Sequence, residues 1–130
     1  MKLNRIGLVL SMLLVGQHAV AEQVKWESLG KRDDYEVSWA SNATLRKGDR
    51  VVLDMRFKFD QPDQAPNNQR FDNKRYTISV DCPSKQNQLL AVTFYMGNRM
   101  VYTDIVGGKY TANGGTFVEK IASQVCPSGT

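Results

Sequence analysis

The sequence predicts an α+β protein, an antiparallel β-sheet of about five or six strands with one C-terminal α-helix packed on one face. Three observations lead there. Arg50–Asp60 alternates apolar and polar side chains at a period of two. Other alternating stretches recur on both sides of it, joined by connections short enough to make neighbours antiparallel. One late stretch, GGTFVEKIASQVCP at residues 114–127, switches to helical spacing.

The chain opens with a basic start, Met1 to Arg5, an apolar run over Ile6–Val15, and the small-x-small triplet Ala19-Val20-Ala21. These read as a secretory signal over residues 1–21, cut after Ala21. The run falls short of the roughly 20 apolar residues that a membrane span needs, so no transmembrane segment is expected. No cysteine lies near the cut, so no lipid attachment is expected there. Residues 22–130 then form a single domain, exported to the periplasm or the cell surface. Losing Lys2 and Arg5 with the leader lowers the formal net charge from +4 to +2. The one histidine, His18, leaves too.

Tyr35–Trp39, YEVSW, sets Tyr35, Val37 and Trp39 against Glu36 and Ser38 and reads as a strand with one buried face. Lys47-Gly48-Asp49 reads as a turn. In the next strand Val51, Leu53, Met55, Phe57 and Phe59 face one way, and Arg56 and Lys58 share the other side. Residues 61–74, with Pro62 and Pro66, read as a long polar loop. Arg75–Cys82 alternates again, with Tyr76, Ile78, Val80 and Cys82 inward, and Pro83 ends it. Gln88–Met96 puts Leu90, Val92, Phe94 and Met96 on one side. Gly97-Asn98 turns the chain into an antiparallel partner over Arg99–Val106. Thr116 and Glu119 have the spacing of a capping box. Phe117, Val118, Ile121, Ala122 and Val125 form the apolar stripe of a helix that Pro127 stops.

Cys82 and Cys126 are the only two cysteines. Export favours a bond between them, and without a C-x-x-C motif that bond is structural rather than redox-active. Two thiolates without histidine fall short of a structural zinc site. The cross-link fastens the helix to the end of a strand.

The function classes narrow by elimination. Without histidine, Ser-His-Asp and Cys-His machinery is out of reach. No phosphate-cradling glycine motif occurs, and no cofactor or metal is expected. Asp33-Asp34 and Asp60 with Asp63 are the nearest carboxylate pairs and read as solvated charges, so no enzyme is expected. The basic residues Arg56, Lys58, Arg75, Arg70 and Lys74 are the candidate binding set, on the outer sheet face and beside the 61–74 segment. Such a set suits a protein or polyanionic glycan partner. Export and the lack of a base-stacking motif argue against nucleic acid.

These pieces together resemble the surface-adhesin protein E family of bacterial envelope proteins. The resemblance rests on Trp26 soon after the leader, YEVSW, VVLDMRFKF, ISVDC, LLAVTFYMGNRMV and FVEKIASQVC. It implies an antiparallel sheet with a disulfide-tied C-terminal helix, and an exported, adhesin-like binding module. The alternative expectation is a periplasmic inhibitor of a hydrolase such as lysozyme, with a loop plugging the enzyme's cleft.

Overall fold

The computed structural model describes residues 23–127. The leader expected over residues 1–21 lies outside the described residues. Among the described residues eight strands and one helix follow in order. They are β1 (Trp26–Arg32), β2 (Tyr35–Ala40), β3 (Leu45–Lys47), β4 (Arg50–Gln64), β5 (Arg70–Asp81), β6 (Gln86–Met96), β7 (Arg99–Ile105), β8 (Thr111–Ala112) and α1 (Thr116–Val125). The sheet order is β1-β2-β4-β5-β6-β7, with β3 added beside β4 and β8 beside β6. The strand pairings are antiparallel, so the α+β expectation holds.

Alternation in β4 builds the core. Val51, Leu53 and Met55 are buried and stand opposite Val80, Ile78 and Tyr76 of β5. Val37 and Trp39 of β2 extend the same face opposite Phe57 and Met55. The helix lays its stripe across it. Ile121 is fully buried, and Phe117, Val118, Ala122 and Val125 pack around it. The Cys82–Cys126 disulfide closes one end of this seam, its Cα atoms 5.5 Å apart. Lys120 Nζ donates to the Leu29 carbonyl at 3.1 Å and ties the helix to β1. Gly30 lies against the Phe117 ring, where a Cβ would make only ordinary contact at 3.6 Å; its φ of +139° is what favours glycine there.

Beyond the helix a row of rings continues. Tyr35 meets Phe57 and Phe59, Phe57 meets Tyr76 at 4.7 Å with the rings tilted by 50°, and Phe59 leads through Phe71 to Phe94 and Tyr102. The ten-residue helix is about 15 Å long and β4 about 50 Å, so much of the sheet extends past it.

Three expectations change, and a stretch left unassigned by the sequence proves to be a strand. The 61–74 segment is mostly strand: β4 runs to Gln64, β5 starts at Arg70, and only a tight tip joins them. Pro62 is tolerated because the β4–β5 register breaks between Lys58 and Asp63, where no ladder hydrogen bond is required of it. The unassigned stretch, Trp26–Arg32, is a strand. Leu29 is an extra residue between Ser28 and Gly30 that breaks the alternation and drops into the core. Second, β6 carries a bulge at Leu90. Ile78 faces Leu89 while Thr77 faces Ala91, so Leu89 joins the core and Leu90 lies among outer-side residues such as Val52 and Ser79. Third, the helix begins at Thr116 with Gly115 at the N-cap, and no side chain caps it. Thr116 is one residue too late for the expected capping box.

Candidate functional site

Arg56 and Arg75 stand directly opposite each other on β4 and β5. Their row continues to Ser38 on β2 and to Thr93 and Thr103 on β6 and β7. This is the sheet face away from the helix. Like charges at facing positions on neighbouring strands cost roughly 0.2–1 kcal/mol, so the placement needs support. Aromatic rings supply it. The Trp26 ring lies 4.5 Å from the Arg56 guanidinium and 5.1 Å from that of Arg75. Tyr95 closes the other side, its ring 4.1 Å from the Arg75 guanidinium. Each such contact contributes about 0.5–1 kcal/mol at a partly exposed site. The planar groups are thereby held in place.

Among the described residues the ion pairs are Lys25–Glu27 and Lys31–Asp60, and neither arginine takes part. The Nε atoms of Arg56 and Arg75 are buried without a hydrogen-bond partner. Burial, and then the Arg75 charge, push the Arg56 guanidinium below its ordinary value, and Glu36 partly offsets them. Arginine stays charged under such shifts. Glu36 accepts from Ser28 Oγ at 3.4 Å. The arrangement is a fixed double cation with aromatic walls, suited to a planar or tetrahedral anion.

Lys58 is exposed, two residues from Arg56 on the same face and opposite Asn73. The other two members of the expected set lie elsewhere. Arg70 pairs with Gln64 near the hairpin tip. Lys74 stands between Phe57 and Phe94 in register, and its ammonium lies over the rings of Phe57, Phe59 and Tyr76. It therefore belongs to the opposite, helix-bearing face. Sequence reasoning assigned no role at the site to Trp26 or Tyr95. Tyr95 has the parity of Thr93, a signal that was available.

Other sequence features find structural uses. Arg46 donates through Nη2 to the Val125 carbonyl at the helix C-terminus, a favourable place for a cation. Arg50 lies over the Tyr110 ring. Gly48, at φ of +60°, makes the turn between β3 and β4. Asn42 accepts from the Lys25 amide at 2.7 Å and donates to the Gln23 carbonyl at 2.8 Å. Asp60 is ion-paired to Lys31. No group of three or more potential metal ligands is present among the described residues.

The described residues thus form a disulfide-clasped antiparallel sheet with one covering helix and a cationic, ring-walled outer face. The chain belongs to the surface-adhesin protein E family, whose model matches residues 26–127. Membership implies an exported, adhesin-like surface protein with a binding role. No helix among the described residues is long and apolar enough to cross a membrane. No curated protein and no solved structure matches the chain.

Proposed function

We propose that the chain is an envelope binding module, residues 22–130 after leader removal, that recognises a polyanionic partner through its outer sheet face. One observation carries this: two facing guanidiniums held by Trp26 and Tyr95, with no carboxylate paired to either among the described residues. Neutralising an unpaired double cation lowers its mutual repulsion. A sulfate or carboxylate group that bridges the two therefore gains more than it would at a single arginine. Lys58 extends the positive strip along β4.

The test is binding to immobilised sulfated glycan. Arg56→Glu with Lys58→Glu should reduce affinity by about ten- to hundredfold, the scale of one lost charge-assisted hydrogen bond at about 1.5–3 kcal/mol. Arg75→Glu should do the same. Affinity unchanged in both variants would discard the reading. A parallel lysozyme titration addresses the hydrolase-inhibitor alternative: inhibition that survives these substitutions would replace the proposal.

A further inference from the structure

We propose a second site, on the helix-bearing face, that takes a single-chain fatty acid with its carboxylate at Lys74. Between the start of α1 and the sheet lies a cleft of about 330 Å³. β4 gives it Phe57, β5 gives Tyr76 and Ile78, β6 gives Leu89, and the helix walls it with Phe117 and Val118. Apart from Ile78 these side chains are only partly buried, although all pack on the core cluster.

The lining specifies the ligand's body. Apart from the Tyr76 ring, the one polar side chain in it is Asn87, whose amide already donates to Asn113 Oδ1 at 3.0 Å and to the Thr111 carbonyl at 3.4 Å. A peptide or sugar, with many donors and acceptors, would lose water there without replacement. A hydrocarbon chain loses none. The volume is near the lower end for ligand sites, which fits one chain rather than two.

The rim specifies the head group. The Lys74 ammonium lies 5.2 Å from the Tyr76 ring centre and 5.9 Å from that of Phe57, two rings that also line the cleft. It forms no ion pair among the described residues. Gly114 and Gly115 border the cleft at the helix start, where no side chain caps the first-turn amides. The ammonium favours a negative group at its end of the cleft. A fatty acid unites the two halves, an apolar body and a terminal carboxylate. Its site is separate from the outer-face arginines.

Titration of the full exported, disulfide-bonded chain with dodecanoate, followed by calorimetry and by amide shifts, tests this. Saturable one-to-one binding is expected, with shifts centred on residues 114–121 and on Leu89. Lys74→Glu should weaken it roughly tenfold or more, while Lys74→Arg retains it. Gly114→Trp adds bulk at a cleft-lining position where a Cβ meets nothing within 4 Å, so the fold is kept and binding falls. Arg56→Glu with Arg75→Glu should leave dodecanoate binding intact even if glycan binding is lost. Any of four results would overturn the assignment. These are no saturable binding, equal affinity for dodecyltrimethylammonium, binding to anionic phospholipid vesicles but not to the monomer, and loss through the outer-face variant.

Discussion

Removing the cross-link by Cys82→Ala with Cys126→Ala should cost about 4 kcal/mol of folding stability. The two residues are 44 apart in sequence. Untying a loop of that length restores denatured-state entropy worth about that much at 25 °C. A domain of this size is stable by about 5–15 kcal/mol, so the loss is a large share of the total. Cys82 is itself buried at 3% exposure, and its replacement also leaves a small void beneath α1. In urea, with a slope of about 1–2 kcal/mol/M, the midpoint should fall by about 2–4 M. The measurement is equilibrium unfolding of wild-type and variant, followed by circular dichroism. A fall worth less than about 1 kcal/mol would refute the idea that the clasp, rather than packing alone, holds the helix to the sheet.

Two further outcomes follow from the geometry. Ile121→Ala, at a fully buried position in the centre of the helical stripe, should destabilise by about 2–5 kcal/mol in the same assay, whereas exposed Glu119→Ala should shift it by under about 0.5 kcal/mol. Asp72 gives a pH signature. Burial pulls its carboxyl upward, but the Gly97 amide at 2.9 Å, the Asn73 amide at 2.8 Å and the Lys58 charge outweigh this and hold it below the ordinary range. A carboxyl depressed in the folded state stabilises above its unfolded value, and that contribution fades as pH falls through the folded value. The stability gap between wild-type and Asp72→Ala should thus be constant near neutrality and shrink below about pH 4, read from thermal melts.

The parts of the fold legible in the sequence are those where alternation runs unbroken. Arg50–Phe59 has it throughout, so the inner face of β4 and its opposing residues on β5 follow directly, and with them the shared side of Arg56, Lys58 and Arg75. Bulges hide the rest. Leu29 and Leu90 each shift the phase by one residue, and a leucine pair at 89 and 90 gives no sign of which one turns inward. Proline and polar residues made 61–74 read as a loop, yet a hairpin that has left its ladder register accommodates both. Lys74 was read as edging that loop and given no face, because parity was not applied within the segment; the ladder sets it on the helix-bearing side. Trp26 was legible as a residue of note but not as a wall of the site, because its ring reaches Arg56 across β2 and Arg75 across β2 and β4, a four-strand relation that no local pattern encodes.

Trp26 is the first residue of β1, and the stretch just before it is pinned by Asn42. Gln23 and Lys25 are thereby held at the same end of β1 as the ring that walls the arginine row. If the arginine row is the proposed binding face, an acidic handle fused ahead of Gln23 becomes a competitor tethered to the same edge of the sheet. Pro127 lies beside the disulfide on the helix-bearing side, so attachment after it suits display, immobilisation and affinity work.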